Sequence, residues 1–165
     1  MNRILVFAAV FFAAYVMSGL DAHAHDITSG DIKISHPWAR ASLAAKVRNG
    51  VSYMTIHNSG TGSDRLIGVS THIADRAELH AHEIKGDVMK MLTLDAIDVP
   101  SGGMVEFKPG GLHIMLFGLK TPLIKGRSFP MRLKFESAGE IDLMVVIEAG
   151  TPGGGREEHR KHMTK

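Results

Sequence analysis

The residues best equipped for chemistry lie in two short segments. In the run from Ala77 to Leu92, His80 and His82 stand two apart, and so do Met89 and Met91. Side chains at i and i+2 of an extended strand point to one face, so each pair shares a face. A two-residue loop at Lys85-Gly86 would pair Ile84 with Asp87, His82 with Met89 and His80 with Met91 across a hairpin. A slip of one residue would send one strand's set to the opposite face. The second segment, Gly110-Gly-Leu-His113-Ile-Met115-Leu-Phe117, places His113 and Met115 at the same i, i+2 spacing. Its neighbours Leu112, Ile114, Leu116 and Phe117 are apolar, so this strand is buried on both sides or lies at a rim with one face partly open. An imidazole in so apolar a run needs a partner.

Imidazole nitrogen and thioether sulfur are ligands for soft and borderline metal ions. The chain holds ten His, ten Met and no Cys. In an oxidising compartment a thiol is lost to disulfide formation and a methionine sulfur is not, so His and Met are the ligands left for a soft cation. Each motif also has a plainer reading. A His-x-Met on a strand is ordinarily a satisfied imidazole beside a gap-filling core methionine, and His80-x-His82 alone is a polar outward face. His36, His57 and His72 lack soft neighbours and read as surface or turn residues. Met54, Met131 and Met144 read as core, and Met104, after a Gly-Gly turn, as packing.

The elements that must position these residues are strands. Beyond residue 24 no window shows a convincing 3.6-residue apolar period, and Gly, Pro, Asn and Asp punctuate the chain every eight to twelve residues, the pattern of an all-β sandwich or barrel. The expected strands are Ile32–Ser35, Trp38–Ala41, Val51–His57, Arg65–Ser70, Ala77–Glu83, Val88–Leu92, Met104–Phe107, Leu112–Phe117, Ser128–Phe135 and Glu140–Ile147. Asn58–Gly62, Pro100–Gly103 and Pro109–Gly111 read as turns with glycine available for positive φ. There is no internal repeat. Without cysteine the core must hold without disulfides.

The termini differ in kind. Arg3 followed by the apolar run Ile4 to Val16 and the small-x-small triplet Ala22-His23-Ala24 reads as a secretory signal peptide over residues 1–24. The run is shorter than the ~18–20 apolar residues needed to cross a bilayer as a helix, so the expectation is cleavage and a periplasmic protein that is not an integral membrane protein. Residues 25–149 then form a single domain. Residues 150–165, a glycine run followed by mixed charge, read as a flexible tail containing His159, His162 and Met163. The net charge of +2 is spread along the chain, which gives no reason to expect nucleic acid.

His80, ten residues, Met91, twenty-one residues and then His113-Ile-Met115 resembles the His-x10-Met-x21-His-x-Met pattern of the periplasmic copper chaperones called PCu(A)C. Trp38-Ala-Arg40, the run Val51 to Asn58, Asp64-Arg-Leu66, Ala77-Glu-Leu-His80 and Lys108-Pro-Gly-Gly-Leu-His113 are similar to that family too, over about residues 30–148. The resemblance implies a cupredoxin-like β-sandwich of Greek-key type that holds Cu(I) through His80, Met91, His113 and Met115. It also implies delivery to the Cu(A) centre of cytochrome c oxidase subunit II, directly or beside a Sco-type thiol protein. Two imidazoles and two thioethers suit the soft Cu(I) ion, and the missing Cys removes the thiolate of a blue-copper electron carrier. His82 and Met89 are neighbours of that set, as second shell, as transfer ligands or as solvent-facing residues.

Some family members carry a His- and Met-rich C-terminal extension that recruits Cu(II), and this tail is similar to a sparse version of one. His25, if processing makes it the first residue, could chelate Cu(II) through its α-amine and imidazole. The expected protein is a monomeric carrier and no enzyme. A storage or efflux binder would use the same ligands, and a copper oxidoreductase built on His25 lacks a second histidine placed to complete its site.

Overall fold

The computed structural model describes the backbone of residues 26–44, 46–85 and 88–150, and the side chains of the same stretches except 84, 85, 88 and 89. The expected signal peptide, His25, His159, His162 and Met163 lie outside the described residues. Eleven strands follow one another: β1 (Ile27–Ser29), β2 (Ile32–Arg40), β3 (Asn49–Asn58), β4 (Asp64–Ser70), β5 (Arg76–Lys85), β6 (Val88–Leu94), β7 (Ile97–Val99), β8 (Met104–Phe107), β9 (His113–Phe117), β10 (Ser128–Phe135) and β11 (Glu140–Glu148). Among the described residues there is no helix, and so none long and apolar enough to cross a membrane.

The strands form one curled sheet in the order β6-β5-β9-β3-β2-β11-β10-β4-β7, with β1 added to β2 and β8 to β3. All pairs along it are antiparallel except β11 with β2, where Val146, Ile147 and Glu148 lie beside Trp38, Ala39 and Arg40. The sheet turns back on itself until β4 packs against β5 and β7 against β3, giving a nearly closed, cupredoxin-like β-sandwich. Period-2 patterning supplies its interior. On β10, Phe129, Met131, Leu133 and Phe135 are buried between exposed neighbours, and on β11, Ile141, Leu143 and Val145 answer them. Leu79 of β5 and Ile114 and Leu116 of β9 complete this core from the other layer. Asp64 ties a corner: its carboxylate accepts hydrogen bonds from the backbone N–H groups of Arg65, Ser137 and Ala138.

Three departures from the sequence expectation have local causes. Ile32–Ser35 and Trp38–Ala41 are one strand interrupted by a bulge at His36-Pro37, where the pairing with β3 shifts by a residue and His36 takes a positive φ of 46°. The short strands β1 and β7 were not expected; three residues give too little alternation to read. Met144 and Met104 are exposed rather than packed, at 48% and 63%. Met144 belongs to the even-numbered, outward set of β11, and Met104 opens β8 at the sheet's surface, directly across from His57. His57 therefore does have a soft neighbour.

Truncating the two kinds of position should separate them. Leu133→Ala, in the core, is expected to cost about 2–5 kcal/mol of unfolding free energy. Met144→Ala should stay within about 0.5 kcal/mol of the parent. Chemical denaturation of both variants checks this, and equal losses would contradict the assigned faces.

Candidate metal centre

The β5–β6 hairpin pairs Lys85 with Val88, Ile84 with Met89, His82 with Met91 and His80 with Thr93. The register therefore sits two residues from the one expected of a Lys85-Gly86 loop. A shift of two preserves faces. His80 and His82 still share a face with Met89 and Met91, but Met91 stands directly across from His82 and diagonal to His80.

The decisive neighbour is β9. It pairs antiparallel with β5 so that His80 faces His113 and Glu78 faces Met115. On the opposite side of β9, Met115 is level with Val51 of β3. His80, Met91, His113 and Met115, which the sequence separates by up to thirty-five positions, are thus carried on one face of three adjacent strands. That face is turned away from the Leu79, Ile114 and Leu116 core. Burial there is uneven. His80 and His113 are 6% and 2% exposed, whereas Met91 is 51% exposed, and Met115 and His82 are intermediate.

The two buried imidazoles are shut off from water by one another and by their neighbours. Ring centroids of His80 and His113 lie 5.7 Å apart, His82 stacks on His113 at 4.7 Å and 24°, and Phe117 lies 5.9 Å from His80. Each ring is held by one nitrogen. Nδ1 of His113 is 2.9 Å from the carbonyl oxygen of Gly111. A carbonyl can only accept, so Nδ1 carries the proton and Nε2 is left with its lone pair. Nε2 of His80 is 2.9 Å from a carboxylate oxygen of Glu78, which by the same reasoning places the proton on Nε2 and the lone pair on Nδ1.

Those two lone-pair nitrogens, His80 Nδ1 and His113 Nε2, are buried and have no hydrogen-bond partner among the described residues, and His82 Nδ1 is in the same condition. Leaving a buried polar atom unmade costs about 1–3 kcal/mol each. A native fold keeps such atoms where something else is to meet them. No three His, Asp or Glu side chains among the described residues converge closely enough to hold a metal ion by themselves, so any cation between the imidazoles would draw on the adjacent thioethers. Sulfur beside two neutral imidazoles is a donor set for a soft ion.

Electrostatics act on His113 and on Glu78. Burial pushes the His113 pKa below its usual value; the hydrogen bond to Gly111 opposes this, and the neighbouring His82 and His80 add to it. Glu78 is held below the ordinary carboxylic range chiefly by its hydrogen bond with His80, and also by Arg76, against the cost of desolvation.

Of the six strand residues singled out from sequence, five have described side chains on this face. Met89 is placed by backbone pairing alone, across from Ile84. Glu78 was missed, although its position two residues before His80 put it on the same face.

Comparisons with known proteins bear on the same region. The family model for LpqE-like lipoproteins matches residues 32–147. Uncharacterized protein RP573 of Rickettsia prowazekii is 34% identical over 119 residues, which are 70% of this chain and 66% of that protein. Among solved structures, the copper-bound PCuAC domain from PmoF2 is similar at 34% identity and a TM-score of 0.65, covering 76% of this chain and 98% of that one. The Cu(I) form of DR1885 from Deinococcus radiodurans is similar at 26% identity and a TM-score of 0.53, covering 73% and 81%.

Because the folded chain binds a proton at His113 less readily than the unfolded chain does, this group's contribution to stability is complete above about pH 6.5. It declines as pH falls from there toward the lower value of the folded state. In an NMR pH titration of the metal-free protein, the His113 ring is expected to protonate below 6.5, the reference value for histidine. A midpoint at or above it would mean that water reaches the ring.

Proposed function

This chain belongs to the LpqE-like family, and on that premise we propose that it is a copper carrier of the PCuAC type, holding Cu(I) through His80, Met91, His113 and Met115. It works outside the cytoplasm, in the periplasm, and passes copper toward the Cu(A) centre of cytochrome c oxidase subunit II, directly or beside a Sco-type thiol protein. The ion is cargo, and the protein performs no catalysis on it.

The observation that carries the reading is the pair of facing imidazoles, His80 and His113, each with its proton fixed on one nitrogen and an unpartnered, buried lone pair on the other. Neutral imidazole nitrogen is the form that ligates. Met115 follows His113 on the same face, and Met91 reaches from the outermost strand of this end of the sheet. The donor set favours the soft monovalent ion, and the absence of cysteine leaves no thiolate for a blue-copper site. The solved relatives support the cargo, since two of them are copper-bound and Cu(I) forms. The lipoprotein description of the family and the signal-like first residues support export.

Uneven burial suits transfer. The two imidazoles are enclosed, while half of Met91 meets solvent, so an acceptor would displace the thioether first and then draw the ion from the histidines.

A Cu(I) titration against a chromogenic competitor should show one equivalent bound by the parent, with affinity falling by more than about tenfold, or 1.4 kcal/mol, in Met91→Ala, Met115→Ala and His113→Ala. Unchanged binding in both methionine variants would return those residues to packing and the metal to some other place. Transfer is checked by mixing the loaded protein with a metal-free soluble subunit II domain and following the Cu(A) absorption. If copper stays with the carrier, the proposed destination is wrong.

A further inference from the structure

Glu78 stands on β5 two residues before His80 and directly across from Met115. Its two carboxylate oxygens are divided between two partners. Oε2 accepts a hydrogen bond from Nε2 of His80 at 2.9 Å, and Oε1 accepts one from the guanidinium of Arg76. Arg76 in turn lies over the Phe117 ring, 4.6 Å from its centroid, and Phe117 packs beside His80. The four side chains form one connected set, in which Glu78 holds the Nε2 end of the His80 ring. Thr93 Oγ1, 3.4 Å from the same Nε2, is the remaining polar neighbour at that end.

We propose that Glu78 is a positioning residue for copper: by holding the proton of His80 on Nε2, it turns the lone pair of Nδ1 toward the cation. The inference rests on the copper reading given above and adds to it a residue outside the four ligands. In a neutral imidazole one nitrogen donates and the other accepts, so the nitrogen that serves a carboxylate decides which one is left for a metal. Such a partner also raises the ring's strength as a ligand.

His113 is fixed in the complementary way. A neutral backbone carbonyl, that of Gly111, holds its Nδ1 and leaves Nε2 free. The two rings therefore present different nitrogens, and only one is backed by a full negative charge. A surface ion pair would account for Arg76 and Glu78 alone. It does not account for the second oxygen's bond to a histidine that is almost fully buried.

The test compares the full chain with Glu78→Gln, whose amide oxygen can still accept from Nε2–H, and with Glu78→Ala, which cannot. Long-range proton–nitrogen NMR of the metal-free proteins reads the His80 tautomer, a Cu(I) competitor titration reads affinity, and thermal melts establish that each variant is folded. The parent and the Gln variant are expected to show a single Nε2–H tautomer and affinities within a few-fold. The Ala variant should show mixed tautomers and bind about 10–100-fold more weakly, the usual loss when a partner behind a metal ligand is removed. If the parent binds copper and Glu78→Ala leaves tautomer and affinity unchanged, the proposal is overturned. It is overturned equally if Gln falls as far as Ala, since charge alone would then be acting. A parent that binds no copper, while tautomers still differ between parent and Ala, overturns the copper reading and leaves Glu78's hold on the ring standing.

Discussion

One carbonyl oxygen carries more of this architecture than its size suggests. The Gly111 oxygen accepts the backbone N–H of His82 at 3.3 Å and the imidazole Nδ1 of His113 at 2.9 Å, using both lone pairs of the group. The first bond helps fix the register of β5 against β9. The second fixes which nitrogen of His113 is free. No side chain stands across from His82 on that strand, and its ring lies against His113 instead. Had the pairing slipped by one residue, His80 would face Leu112 or Ile114, and a polar ring would be forced against an apolar neighbour. Strand pairing, ring orientation and proton location are therefore set at a single point.

The site lies on a face that a simple two-layer picture would leave to water. Alternation sends Leu79, Ile114 and Leu116 into the core and His80, His113 and Met115 outward. Yet the two histidines are as buried as core residues, because they cover one another together with His82 and Phe117. Burial pushes the His113 pKa down, and a hydrogen bond through one nitrogen of each ring is what makes burial tolerable. The unpaired nitrogens are the residual strain of that arrangement.

Much of this could be read from the chain alone, and the parts that could not share a cause. Local alternation revealed all nine of the longer strands, one of them as two pieces, and the shared faces of His80 with His82 and of His113 with Met115. It did so because side-chain direction in a strand depends only on parity. The hairpin between β5 and β6 was misjudged by two residues, since Gly86 is compatible with more than one turn position, but parity survived the error. What no local pattern could supply was the pairing of β5 with β9, thirty-three residues apart at His80 and His113. That pairing sets His80 beside His113, and it brings Glu78 level with Met115. Met144 was misread because Leu-Met-Val-Val-Ile looks uniformly apolar, although the parity of Ile141, Leu143 and Val145 already assigned it to the outer face. The bulge at His36 has no glycine to announce it.

Among the described residues β6 ends the sheet on one side, with only β5 beside it, and it exposes Met91 and Leu92. A terminal strand with free N–H and C=O groups and apolar side chains is a template for another copy of the chain, the usual starting point for aggregation. Lys90, exposed between Met89 and Met91, is the kind of charge that blunts such an edge. The strand that offers a soft sulfur to the outside must also stay unattractive to its own kind, and one lysine in a seven-residue strand separates a reachable thioether from a sticky edge.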